Sequence, residues 1–355
     1  MCELSIVIPV FNHPDTTKVM IDSLLSNKYK EFEVIVVDDG SDTGTLNLLQ
    51  SYQESDTRVK VLHRQPCEPK GPQTCRNKGL DYAQGQFIIF FDSDDLVTST
   101  CLENRVNSIK SRPELDFMVF PSGILTDDRL DPTPHEMVFG HKLYDDDIEM
   151  FARRILPFIV WNNIYRRENL VRSGIRWDVN LKSLQDADFN LQTLLSGMKY
   201  DYAHVDPDYA YRTAAKTASV SSRIITDSHK NSHIYATDKF FSTIISKFGH
   251  KYDKAITDGA MKIFYTAIRS KMDSQFAADM ANCIRKYNKH KGLSFIIKVK
   301  FCQALNYLIS YKRARQIAFL PFLIRSSSAN KRKLKGLEEK TRVTHVKAFN
   351  NNCNI

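Results

Sequence analysis

The chain has 355 residues, 42% hydrophobic and 26% charged, a balance that fits a globular protein and excludes a disordered chain. Its net charge of +9 is unevenly spread, with 17 Lys or Arg against only Glu338 and Glu339 between Arg285 and Lys347, so the rest of the chain is acidic. The seven cysteines (Cys2, Cys67, Cys75, Cys101, Cys283, Cys302, Cys353) are odd in number and never spaced C-x-x-C, which argues against a disulfide framework and a structural zinc site. No stretch approaches the roughly 18 uninterrupted apolar residues of a membrane span. Met1 leads almost directly into an apolar run with no basic segment before it, so no secretory leader and a cytoplasmic location are expected.

In chain order, LSIVIPV (4–10) predicts a fully buried strand, stopped by Pro9 and Asn12. TTKVMIDSLLSNKY places Val19, Met20, Leu24 and Leu25 at helical spacing. FEVIVVDDGS (32–41) predicts a second buried strand ending in acid and glycine. TLNLLQSYQ reads as helix, RVKVLHR as strand, and PQTCRNKGLDYAQG as a helix closed by Gly85. QFIIFFDSDD and ELDFMVFPSG are further strands. Strict alternation implies βαβ units and a largely parallel sheet, whose ligand crevice lies beyond the carboxyl ends of the strands. Two strands end in acid at that edge, at Asp38–Asp39 and at Asp92–Asp95. Beyond residue 225 the segments 228–248, 254–272, 275–291 and 293–320 read as helices. The expected organisation is an α/β domain over 1–225 and a basic helical extension over 226–355.

Asp92, Asp94 and Asp95 crowd three like charges at one strand end, which costs free energy unless a cation sits among them. Together with SIVIPVFN, VIVVDDGS, RNKGLDYAQG and LQDADF, they form an ordered set over the first 220 residues or so. That set resembles the family 2 glycosyltransferases of GT-A fold. The resemblance implies a Rossmann-like, mixed but mostly parallel sheet flanked by helices. It implies an inverting transfer of sugar from a nucleotide-diphosphate donor, a UDP-sugar above all, to a saccharide or lipid-linked saccharide in cell-surface polysaccharide synthesis. It also implies Mn²⁺ or Mg²⁺ at Asp94 and Asp95, with Asp92 and Ser93 on the ribose or sugar. Asp38 and Asp39 would take the base and ribose, Pro9, Val10 and Phe11 would line the base pocket, and Arg76 and Asn77 would lie against the nucleotide. Asp186 would be the catalytic base, and Trp161 and Asn162 would border the acceptor.

The chemistry of these residue types agrees. Hard divalent cations take oxygen ligands, and Mg²⁺ needs only one or two carboxylates beside phosphate and water. Arginine offers phosphate a rigid fork of donors. Inversion in one displacement needs a single base, which a carboxylate can be. Each position also has a structural reading. The acids can form a solvated turn, Ser41 or Asp42 can cap a helix, and Arg76 can make a surface ion pair. Asp186 can answer a helix dipole, with Asp188 as a competing base, and Trp161 can pack in the core. Two departures stand out: Gln185 where the family usually has Glu, and Asn163 where it commonly has Lys. Arg212 or Lys216 is expected to close over the diphosphate.

From Gly292 onward, apolar and basic residues interleave without an acid as far as Gly336. This predicts amphipathic helices lying on an anionic membrane surface, or else packed on the catalytic domain with a basic outer face. No nucleic-acid module frames the basic residues, so no nucleic-acid partner is expected. Two rival functions are a non-catalytic membrane scaffold with a transferase-like domain, and a sugar nucleotidyltransferase. The second normally carries a Gly-rich basic loop after the first strand, where this chain has FNHPDTT.

Overall fold

The structure is a computed structural model and describes residues 2–126, 129–130, 139–212, 226–268 and 272–319. The first part alternates as the apolar runs require: β1 (Leu4–Val10), α1 (Pro14–Leu25), β2 (Phe32–Asp38), α2 (Thr43–Ser55), β3 (Val59–His63), α3 (Pro72–Tyr82) and β4 (Phe87–Phe90). β1, β2 and β4 are buried along their whole length, the signature of parallel strands covered on both faces. Next come β5 (Leu96–Val97), α4 (Cys101–Lys110), β6 (Phe117–Val119), β7 (Ser122–Thr126), β8 (Arg129–Leu130) and α5 (Asp147–Ala152). After a 3₁₀ turn at Val160–Asn162 the chain forms β9 (Asn163–Arg166), α6 (Arg167–Arg172), α7 (Gln185–Ser196), β10 (Tyr200–Tyr202) and β11 (Tyr209–Arg212).

The main sheet has the order β10-β6-β9-β4-β1-β2-β3. Every pairing in it is parallel except those of β9, which runs antiparallel between β4 and β6. A smaller sheet, β5-β11-β7-β8, stands beside it. The sequence pattern anticipates the parallel half. It gives no warning of β9 or the small sheet, whose strands are too short to show a period.

Gly79 lets α3 lie close on β1, since a Cβ there would meet Val7 Cγ1 at 2.2 Å. Gly79→Ala is expected to lower stability by about 1–3 kcal/mol through overpacking. Urea unfolding of the two proteins checks this, and an unchanged midpoint would refute the close contact.

The extension comprises α8 (Asp227–Phe248), α9 (Asp253–Ala267), α10 (Ser274–Tyr287), α11 (Lys289–Asn306) and helical residues 311–319. The expected helix 293–320 is therefore two, broken at 307–310, and the one expected to reach 272 stops at Ala267. The expected boundary at 225, like Lys216, lies outside the described residues. One continuous core runs from Leu4 to Phe319, so the extension is docked on the α/β part. At the joint, Gly259 of α9 crosses α5 so closely that a Cβ would stand 2.4 Å from the Ala152 carbonyl oxygen.

Candidate active site

β1 and β2 end side by side, with Val10 opposite Asp38, and the Asp39 amide donates to the Val10 carbonyl at 2.8 Å. Pro9 and Val10 are buried within the strand, so only Phe11 of the expected base pocket stands open, 44% exposed. Lys70 Nζ lies 3.7 Å from its ring centroid. Asp38 is buried, which opposes its charge. Hydrogen bonds from Ser41, His63 and Gly40 nonetheless hold its carboxyl below the usual range. Its job is to fold the β2–α2 turn. Asp39 is also buried, held by the Arg64 guanidinium and by the Gly71 amide at 3.3 Å. Asp42, not Ser41, caps α2 through the Thr45 amide at 2.8 Å. The loops after β1 and β2 hold each other. The Asn12 amide donates to Ser41 Oγ, and the Asp42 amide donates to Asn12 Oδ1, both at 2.9 Å.

The acids after β4 converge as expected, with one oxygen each of Asp92, Asp94 and Asp95 all within 4.8 Å of one another. Their surroundings differ. Asp95 is fully buried, accepting from Tyr209 Oη at 2.6 Å and from the Arg212 amide at 2.7 Å. Asp92 accepts from Arg76 Nη2 at 2.6 Å, and Asp94 and Ser93 are half-buried at the mouth of the turn. Arg212 Nε donates to the Asp94 carbonyl at 3.2 Å, so this arginine sits against the acidic turn.

Arg76 is the hub. Only 3% exposed, it pairs with Asp92 and places Nη1 3.3 Å from Asp186 Oδ1, with its guanidinium 5.6 Å from the Trp177 ring. Residues 72–196 thereby bring the acidic turn and the head of α7 together. Asp186 reaches this place because the segment before α7 is clamped from two sides. On one side, α3 holds it: Gln73 Nε2 donates to the Leu181 carbonyl at 3.0 Å, and Asn77 brackets the Trp177 backbone with two 2.9 Å bonds. Asn77, expected against the nucleotide, thus commits both ends of its side-chain amide to holding this loop. On the other side, α8 offers Ser232 Oγ to the amides of Lys182 and Ser183. The turn into α7 is tight, with Leu184 at φ +64°. Burial pushes the Asp186 carboxyl up from its ordinary value; Arg76 pulls it back, and Asp92 pushes it further up.

Asp188, the competing base, is fully buried and paired with Lys239 of α8 at 2.8 Å. Trp161 and Asn162, expected on the acceptor side, are both buried. Trp161 stacks on Tyr209 and Tyr211 in the core, and Asn162 spends its amide on the Ile159 N–H and the Phe120 carbonyl. The short turn before β9 turns both side chains inward, so neither presents an open face for the expected acceptor contact. The sequence reading also missed a buried support. Arg105 of α4 grips Asp208 with two bonds of 2.8 and 2.6 Å and the Trp161 carbonyl with a third of 2.7 Å, fixing the start of β11 and hence Tyr209. A signal existed, since Arg105 falls on the apolar stripe Leu102–Val106–Ile109.

The sequence profile of glycosyl transferase family 2 matches residues 5–173. These residues form a family 2 glycosyltransferase domain. A cholesterol galactosyltransferase of Borreliella burgdorferi is 27% identical over 62% of this chain and 63% of its own. A GalNAc(5)-diNAcBac-PP-undecaprenol beta-1,3-glucosyltransferase of Campylobacter jejuni is 36% identical over 29% of this chain and 33% of its own. The chain therefore spans less than two thirds of either relative. Among solved structures, S. aureus TarS 1–349 in complex with UDP-GlcNAc superposes with a TM-score of 0.64 at 18% identity, over 89% of this chain and 90% of that one. That likeness is one of fold: the α/β part has the GT-A architecture, and a helical C-terminal region follows it.

Proposed function

We propose that the protein is an inverting glycosyltransferase that moves a sugar from a UDP-sugar to a hydroxyl of a saccharide or lipid-linked saccharide, in cell-surface polysaccharide synthesis. One observation carries this reading: Arg76 joins Asp92 to Asp186, so the acidic turn and a lone carboxylate meet at the carboxyl edge of β4. The UDP-GlcNAc bound by the TarS structure favours a UDP-sugar, and the named Campylobacter relative favours a lipid-linked acceptor.

On this reading Phe11 and Asp39 receive the base, with Lys70 and Arg64 holding their side chains in place. The three oxygens of Asp92, Asp94 and Asp95 suit a hard divalent cation. Asp94 would hold Mn²⁺ or Mg²⁺, with Asp95 behind it, anchored by Tyr209. The ion would neutralise charge growing on the departing diphosphate. Asp186 takes the acceptor proton as the hydroxyl attacks, and Arg76 keeps Asp186 and Asp92 together despite their like charge. Inversion follows because no second carboxylate nucleophile is needed. The basic C-terminal helices set the enzyme against the inner face of a membrane.

The test is a panel of nucleotide sugars incubated with Mn²⁺, reading released nucleoside diphosphate, with Asp94→Ala alongside. Metal-dependent release from one donor is expected, lowered about a hundredfold or more in the variant. Silence across the panel, with no metal-dependent nucleotide binding, would favour the scaffold instead. Pyrophosphate release from a nucleoside triphosphate would favour a nucleotidyltransferase.

A further inference from the structure

α11 is apolar on both faces, yet only one of them is covered. Phe295, Val299 and Cys302 pack inward, while Leu293, Ile297 and Phe301 stand 55%, 58% and 49% exposed on the other side. Spaced four residues apart, these three form a straight ridge about 12 Å long. Tyr307 and Leu308 extend it past the helix end, at 91% and 81% exposure. A helix that is apolar all round is normally buried, so this ridge calls for a cover.

The charges around it say what that cover is. From Lys289 to Phe319 the chain has seven Lys or Arg and no acid. At the amino end of the ridge, the starts of α9 and α11 open on a pocket of about 500 Å³ lined by His250, Lys251, Lys254, Lys289, His290 and Lys291. Its one acid, Asp253, is turned inward onto Asn288 and His250. Among the described residues, the ion pairs of Lys251 and Lys254 are long, at 3.4 Å to Asp146 and 4.0 Å to Asp258, although Lys251 Nζ also donates to Tyr252 Oη at 2.7 Å. A second copy of this chain is a poor occupant, because symmetric pairing would bring the like-charged flanks together. Among the described residues no helix is long and apolar enough to cross a membrane. Apolar ridge, cationic border and basic pocket together match an anionic bilayer surface.

We propose that α11 lies in the plane of an anionic leaflet, with Leu293, Ile297 and Phe301 at the acyl boundary and the lysines of the adjoining pocket on lipid phosphates. This deepens the membrane placement above and is independent of the transfer chemistry, so either can fail alone.

Flotation of the full chain with vesicles tests it, using pure phosphatidylcholine or a mixture one-third phosphatidylglycerol. The wild type should float only with the anionic vesicles, and less as salt is raised. Ile297→Glu with Phe301→Glu should abolish flotation, and Lys289→Glu with Lys291→Glu should weaken it at least about tenfold. All four positions are solvent-accessible, so unchanged thermal midpoints and donor hydrolysis should accompany these losses. Inorganic phosphate at matched ionic strength should leave flotation unchanged, and release by phosphate would make the pocket a free-anion site. Failure of the wild type to float overturns the proposal, as does undiminished flotation of both variants. So does a wild-type dimer, broken by the Ile297/Phe301 changes, that ignores vesicles.

Discussion

Asp186→Asn is expected to lower kcat about 10²- to 10⁴-fold while nucleotide affinity changes little, the signature of a lost general base. The substitution keeps the shape of the side chain and removes only its ability to take a proton. Burial sets the Asp186 carboxyl above its ordinary value, against the pull of Arg76, and the neighbouring Asp92 adds to the rise. The rate of the wild type should therefore fall, as pH is lowered, at a pH above the ordinary carboxylate range. Arg76→Met should carry that acid limb still higher, because Asp92 and Asp186 would face each other without a cation. Stability runs the other way. The folded protein keeps a proton on Asp186 that the unfolded chain has already released, so the contribution of this group falls as pH rises from about 4 through the folded value. At pH 7 the Asn variant should therefore be at least as stable as the wild type while nearly inactive. Full activity in Asp186→Asn, with loss in Asp188→Asn, would move the base to Asp188 and break this account.

Removing one partner of the Arg105–Asp208 pair is expected to cost about 3–5 kcal/mol, a large fraction of the roughly 5–15 kcal/mol that holds a domain folded. Arg105 is wholly buried and the Asp208 side chain is 3% exposed, so Arg105→Ala strands a buried carboxylate without its cation. Asp208 holds the Arg105 guanidinium above its usual range against the effect of burial, so the arginine stays charged. Arg105→Lys should rescue little, since an ammonium cannot reach both carboxylate oxygens and the Trp161 carbonyl at once. Replacing both partners, Arg105→Met with Asp208→Leu, should recover much of the loss, because the penalty lies in the orphaned charge. Guanidinium unfolding of the single and double variants measures this. A single variant within about 0.5 kcal/mol of wild type would show the pair to be dispensable, as surface pairs are.

The parallel half of the sheet and the acidic turns were legible because their cause is local. A strand covered on both faces is an unbroken apolar run, and chemistry at its end interrupts that run with charge. The meeting of Arg76, Asp92 and Asp186 was legible only through the resemblance, since nothing local joins positions 76 and 186. What escaped was tertiary. β9 is four residues, NIYR, with no alternation to betray a strand, and the small sheet is built of pieces of two to five residues. Trp161 and Asn162 sit in a segment that resembles an acceptor wall, but Trp161 is covered by Tyr209 and Tyr211 and Asn162 is bonded to the Phe120 carbonyl, all about forty to fifty residues away. The hold of Ser232 of α8 on the Lys182 and Ser183 amides was hidden for the same reason, and it ties the helical extension to the segment that carries Asp186.

The mutual hydrogen bonds of Asn12, Ser41 and Asp42 have a thermodynamic consequence for the donor. Two loops that would otherwise be ordered on ligand arrival are already fixed, each by the other, so that share of conformational entropy is spent when the chain folds. A nucleotide bound as proposed would meet a floor already ordered at the ends of β1 and β2. One contact runs from the Asn12 main chain to the Ser41 hydroxyl and the other from the Asp42 main chain to the Asn12 side chain, so each loop is held by a side chain from the other, and losing either side chain would undo only half of the mutual hold.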